Sequence, residues 1–187
     1  DATRAGGDAL PDLAAIRAAH ARIAPHVHRT PVLSCHAVDG ETGAQLFFKC
    51  ENFQKVGAFK ARGATNAVFS LSDDEARRGV VTHSSGNHGA ALAYAASRRG
   101  IPAWIVMPDN APAIKQANVR GFGGTIRHCA PTVAAREAAC AAVQLGVPLR
   151  VAPAHIGSER LARQIVRKEA LAGRLNERQP AQPVEQL

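Results

Sequence analysis

The feature that most limits how this chain can fold is an alternation between residues 79 and 152. Gly79-Val80-Val81-Thr82-His83, Ala103-Trp104-Ile105-Val106-Met107 and Thr125 to Cys129 read as short buried strands, and Leu149 to Ala152 predicts a fourth. Between them lie alanine-rich stretches with glycine just past their ends: Asn87 to Arg99 before Gly100, Ala111 to Arg120 before Gly121, and Thr132 to Leu145 before Gly146. Strands separated by helices of about 10–15 residues imply βαβ units and a parallel sheet. Such crossovers are right-handed almost without exception. Small side chains on the helices suit close packing on that sheet. Gly121-Phe122-Gly123-Gly124 precedes a strand, so it is a helix stop and turn, not a dinucleotide loop.

The flanks are less regular. Pro11 to Ala24 predicts a helix from Leu13, Ile16 and Ile23, with Asp12 in its first turn and Pro25 ending it. His28-Arg29-Thr30-Pro31 is an extended connector, because the residue before proline avoids helix. Gln45 to Cys50 predicts a strand, Val56-Gly57 a break, and Ala58 to Leu71 a helix. Gly157 to Ala172 has helical periodicity, and the sequence after Gly173 reads as a frayed tail. The expected architecture is α/β, a three-layer open, mostly parallel sheet with helices on both faces. Residues 1–150 form its body, and 151–187 form a divergent helix and disordered tail.

The 187 residues suffice for one large domain or two small ones. No apolar run approaches the ~20 residues of a membrane helix, and no signal peptide is visible. Cys35, Cys50, Cys129 and Cys140 lack C-x-x-C spacing and read as free buried thiols in a reducing cytoplasm. The net charge of +8 is uneven: 8 Lys/Arg face 9 Asp/Glu through Glu75, and 15 face 6 from Ala76 onward. The arginines are scattered and aromatics make up only 4%, which argues against nucleic acid. His20, His26, His36, His128 and His155 show no metal-ligand spacing, so no metal is expected. Trp104 and Tyr94 read as packing residues, and Lys49 and Lys55 as surface lysines.

Two segments carry chemistry. In Thr82-His83-Ser84-Ser85-Gly86-Asn87-His88-Gly89-Ala90 a strand runs through a loop into a helix. That puts the loop at the carboxyl edge of a parallel sheet, where ligands bind. Its glycines allow close backbone approach, and the helix N-terminus offers free N–H groups and positive partial charge. With two hydroxyls, an amide and an imidazole, it suits an anion such as a carboxylate. The second segment places Lys60 near the start of a helix, behind Gly57 and Phe59. A lysine there is disfavoured as a cation, so its pKa should fall, as a Schiff-base lysine requires.

Phe59-Lys60-x-Arg62-Gly63-Ala64 followed by Ser84-Ser85-Gly86-Asn87-His88-Gly89 resembles the pyridoxal-phosphate enzymes of the tryptophan-synthase-β type. Within them the chain is similar to the serine/threonine dehydratases and their relative serine racemase. His28-Arg29-Thr30-Pro31, Phe47 to Gln54, Val106-Met107-Pro108 and Ala111-Pro112 agree, and the likeness runs from about Ile16 to Val143. The resemblance implies that Lys60 holds pyridoxal phosphate and removes the substrate Cα proton. It implies that Phe59 lies near the cofactor ring and that Asn87 hydrogen-bonds the cofactor's phenolic oxygen. Ser84, Ser85, Asn87 and His88 would hold the substrate carboxylate. Ser85 matches the serine that reprotonates the opposite face in racemases, and Arg136 matches an arginine at the substrate end.

The implied activity is an ammonia-lyase giving a 2-oxoacid and ammonia from L-serine or L-threonine. Racemisation of serine is the near alternative, and a non-catalytic protein that keeps the fold for binding or regulation is another. The resemblance places the glycine-rich phosphate loop, the residue facing the pyridine nitrogen and an acidic metal site beyond this sequence. A His-Pro turn and a Gly-Gln-Gly-Thr stretch are expected after Leu149, where Ala152-Pro153-Ala154-His155-Ile156-Gly157 stands instead. So incomplete a fold is expected to show little activity alone and, with apolar strands uncovered, to associate with copies of itself.

Overall fold

A computed structural model describes residues 11–146 and 150–151, so the expected helix at 157–172 and the tail lie outside the described residues. The strands β3 (Val80–His83), β4 (Ala103–Pro108), β5 (Thr125–Cys129) and β6 (Arg150–Val151) form one sheet in the order β5-β4-β3-β6. Every neighbouring pair is parallel; Val80 lies opposite Ala103 and Arg150, and Trp104 opposite Thr125.

The helices α5 (Asn87–Arg99), α6 (Ala113–Gly121) and α7 (Val133–Gly146) are the crossovers. From β3 the chain steps through β4 to β5, then returns past its start to β6. With right-handed crossovers, α5 and α6 cover one face and α7 the other. The direction reverses between β3 and β6, so the end of β3 is the topological switch point, the usual ligand crevice of such sheets. The three-layer α/β architecture is therefore present.

The core lies between α5 and the sheet. Every residue of α5 from Gly89 to Ala96 is buried, because α3 (Lys60–Phe69), α6 and the sheet surround it. Alanines make this possible: α3 presents Ala61, Ala64 and Ala67 to the interior, so the helix axes come close. Val68, Val80, Leu92, Ile105, Met107 and Val119 fill the remaining space, almost inaccessible to water. Each such side chain contributes about 1.5–3 kcal/mol by leaving water. Tyr94 belongs here, its hydroxyl donating to the His26 carbonyl at 2.6 Å and its ring edge-on to Phe122. Trp104 packs against Gly79.

The N-terminal part is built differently. Helix α1 (Leu13–Ile23) starts at Asp12, whose carboxylate accepts from the Ala15 N–H at 2.7 Å. Only Ile23 of its apolar stripe is buried; Leu13 and Ile16 are exposed. The expected strand at 45–50 shrinks to β2 (Phe48–Lys49), paired antiparallel with β1 (Val32–Leu33). A two-stranded ribbon without a third strand has little to extend it, and Val32, Leu33, Phe47 and Phe48 stand exposed. Helices α2 (His36–Thr42) and α4 (Asp73–Arg77) were not expected; each is too short to show a periodic stripe. The four cysteines are free, but the expectation that they are buried fails: Cys35 is exposed and the other three are half-buried. Among the described residues no helix is long and apolar enough to cross a membrane.

Candidate functional site

Lys60 is the first residue of α3, after a turn in which Val56 and Gly57 both take left-handed backbone angles, φ 57° and 67°. Such a conformation costs a β-branched residue about 1–2 kcal/mol; Val56 keeps it while packing on the core. The turn is stitched to the N-terminal connector. Buried Gln54 accepts from the His28 N–H at 2.8 Å and the Lys55 N–H at 2.9 Å, and donates to the His28 carbonyl at 2.8 Å. Two residues past Lys60, Arg62 grips Glu51 with two hydrogen bonds of 2.8 Å. Thr30 donates its hydroxyl to the same carboxylate at 2.5 Å, and Lys49 donates to the Thr30 carbonyl at 2.6 Å. Hydrogen bonding from Arg62 chiefly, helped by Thr30, lowers the Glu51 carboxyl to about 2 against the opposing effect of burial. The strings His28-Arg29-Thr30, Glu51 to Gln54 and Lys60 to Arg62 are thus one polar clamp that fixes where α3 begins.

The Lys60 amine lies 5.0 Å from the centroid of the exposed Phe59 ring. Among the described residues it has no hydrogen bond or ion pair. The loop after β3 leads into α5, on which α3 packs. The Ser84 N–H donates to the Val106 carbonyl at 3.0 Å, continuing the sheet pattern one residue beyond β3. The Ser84 hydroxyl then accepts from the Gly86 N–H at 3.2 Å, closing a short turn. Gly89 lets α5 approach: a Cβ there would meet Ile105 Cγ2 and the Ser84 carbonyl oxygen, both at 2.9 Å. No side chain caps α5 at Gly86, whereas α1 has Asp12 and α4 has a Ser72–Glu75 capping box. The first N–H groups of α5 therefore remain available to an anion.

The imidazole of His88 is held below its ordinary pKa, mainly by burial and further by the positive charges of Lys60 and His83. Lys60, at the start of α3, thus lies within electrostatic reach of His88 at the start of α5, the helix on which α3 packs. Asn87 accepts from the Lys115 amine at 2.9 Å, and the Ser85 hydroxyl has no partner among the described residues. Arg136 lies in the first turns of α7, at the same sheet edge because β3 and β5 are parallel. Its Nε is buried without a partner among the described residues. Phe59 and Lys60 stand at the start of α3, and Ser84, Ser85, Asn87 and His88 stand where β3 passes into α5; His88 is coupled electrostatically to Lys60, and Arg136 shares the sheet edge without a hydrogen bond to the loop among the described residues. The Thr30–Glu51–Arg62 clamp and Lys115 are additions to the residues singled out from sequence. The first could be sought in the motif strings themselves. Lys115, 28 positions from its partner, leaves no local signal.

A profile of the pyridoxal-phosphate dependent enzymes matches residues 23–162. A serine racemase from rice (Oryza sativa subsp. indica) is 59% identical over 133 residues, covering 71% of this chain and 39% of the relative. A beta-hydroxyaspartate dehydratase from Paracoccus denitrificans is 55% identical over 135 residues, covering 72% and 43%. The solved structure of maize serine racemase superposes with a TM-score of 0.73 at 54% identity, over 75% of this chain and 43% of that one. The chain thus spans about two-fifths of the length of the relatives it matches. By these likenesses the chain belongs to the pyridoxal-phosphate dependent enzyme family.

Proposed function

We propose that these residues form the lysine and substrate-carboxylate side of a site that removes the Cα proton of a small β-hydroxy amino acid. The observation that carries this is the Lys60 amine, without hydrogen bond or ion pair among the described residues, within electrostatic reach of the uncapped N-terminus of α5. The residues fit the cofactor: a free amine suits its aldehyde, and the Asn87 amide nitrogen, without an acceptor among the described residues, suits its phenolic oxygen. Pyridoxal phosphate, when bound, supplies an electron sink that acidifies the substrate Cα–H. Lys60 Nζ holds the cofactor and serves as the base for that proton. The α5 N–H groups, Ser84, Ser85 and neutral His88 hold the carboxylate, and Arg136 stands at the substrate end. Phe59, next to Lys60 in sequence and exposed, would stand near the cofactor ring.

The β-hydroxyl then leaves as water, and the resulting enamine tautomerises to an imine that takes up water to give a 2-oxoacid and ammonia from serine or threonine. The names of the relatives, a serine racemase and a beta-hydroxyaspartate dehydratase, share an amino acid with a β-hydroxyl. Racemisation is the second reading, favoured by the unpartnered Ser85 hydroxyl, which can deliver a proton to the opposite face. The test is to add pyridoxal phosphate, record the visible absorption, reduce with borohydride and map the modified residue. A label at Lys60 with ammonia release from serine supports elimination, and D-serine without ammonia supports racemisation. No label at Lys60 overturns the proposal.

A further inference from the structure

The Lys115–Asn87 contact is in the wrong place for fold stability. Lys115 is on α6, and its amine reaches the first residue of α5. That end of a helix already carries positive partial charge, and a cation beside it is unfavourable. A lysine stabilising the fold would sit at the other end, as Arg98 and Arg99 do in the last turn of this same helix.

What the contact does is orient an amide. An ammonium group only donates, so the atom of Asn87 that faces Lys115 at 2.9 Å is the carbonyl oxygen Oδ1. The nitrogen Nδ2 is thereby turned away, and among the described residues it has no acceptor. Without Lys115 the amide can rotate by half a turn and present either atom. With it, Asn87 presents only donors.

We infer that Lys115 is a positioning residue that locks Asn87 as a donor, so that the loop accepts a ligand oxygen bearing lone pairs and disfavours a ligand that offers a proton at that point. The inference rests on the cofactor reading above for the identity of that oxygen, the phenolic oxygen of pyridoxal phosphate. The lock itself is a property of these two side chains.

The test uses the full 187-residue chain with Lys115→Met, which keeps the stem and removes the donor, and Lys115→Arg, which keeps the charge. Unfolding midpoints come first: Lys115→Met is expected to be as stable as the parent or more so, and a clear loss overturns the inference in favour of a structural role. Side-chain amide resonances come second, with Asn87 assigned by its loss in Asn87→Asp. Lys115→Met is expected to move the Asn87 amide signals and Lys115→Arg to leave them near their original place; unmoved signals in Lys115→Met overturn the lock. Third, where the parent gives a Lys60-linked absorption band, Lys115→Met is expected to shift that band and weaken pyridoxal phosphate binding about tenfold, the value of one charged hydrogen bond. Lys115→Arg should restore both, and an unaltered band with unaltered affinity overturns the role toward the cofactor. A parent without any band overturns the cofactor reading alone, because the amide signals still decide the lock.

Discussion

The two sides of the site are held by different physics. The Ser84–His88 loop is placed by backbone: it leaves a buried parallel strand, turns on the Ser84 hydroxyl and enters a helix packed against Ile105 through Gly89. The Lys60 side is placed by side chains: a left-handed turn at Val56-Gly57 and a clamp joining Thr30, Glu51 and Arg62 across more than thirty positions of sequence. Backbone placement is rigid and fails through steric conflict. Side-chain placement is adjustable and fails through lost charge. The loop is thus set by the fold itself, and the start of α3 by a clamp that single substitutions can loosen.

Gly89 gives the sharpest way to break the loop side. Gly89→Ala puts a Cβ at 2.9 Å from both Ile105 Cγ2 and the Ser84 carbonyl oxygen. The Ile105 methyl can rotate, but the carbonyl is backbone and its strand is paired on both sides. The expected loss is about 2–3 kcal/mol, read as a lower urea midpoint with an unchanged slope. A midpoint within error of the parent would show that the loop also adjusts, and the contrast between the two sides would fall.

Glu51→Gln tests the other side. The side chain is 19% exposed and pairs with an Arg62 that is 27% exposed, so solvent screens part of the interaction. The expected cost is about 2 kcal/mol near neutral pH. A carboxyl lowered to about 2 from its ordinary 4.5 stabilises the folded chain fully above the ordinary value and loses that contribution as pH falls toward about 2. Parent and Glu51→Gln should therefore differ near neutrality and converge in acid. A difference independent of pH would mean that packing, not charge, holds the clamp. The same variant should leave the Ser84 and Gly89 amide resonances unmoved, because no hydrogen bond links the clamp to the loop among the described residues.

The same division explains what sequence made readable. Strands at 80–83 and 103–108 and helices at 87–99 and 133–146 follow from apolar runs, alanine-rich faces and terminal glycines, all local signals. The loop was legible for that reason: a parallel sheet dictates which strand end faces ligand. Lys60 at a helix start was legible, and so was its family likeness. The clamp was quoted as motif strings, but its geometry is a property of three segments meeting in space. Leu13 and Ile16 mark a helix correctly, yet their stripe is exposed, since periodicity reports an apolar face and not its cover. Lys115 was silent because a lysine in the first turn of a helix carries no local mark of the amide it meets.

His88 is coupled electrostatically to Lys60, and the pH dependence that this pair carries is expected to be the smallest of these effects. Its ring is held below the ordinary value of 6.5 by burial first and by Lys60 and His83 next. The unfolded chain therefore binds this proton more readily than the folded one. Above the ordinary value both states are neutral there and the group contributes nothing to pH dependence. As pH falls below it, the unfolded state takes up the proton first and stability declines, until the folded state is protonated too and the decline levels off. His88→Asn removes that component, so its stability should fall less than the parent's between neutrality and mild acid. Lys60→Met should act in the same direction but less, because it removes one of the two neighbouring charges and leaves the burial. Urea midpoints at several pH values would resolve the order. If Lys60→Met changes the slope as much as His88→Asn does, the lysine charge and not burial governs the imidazole. If it changes nothing, the lysine and the loop are held apart, and the electrostatic reach on which the proposed site depends is absent.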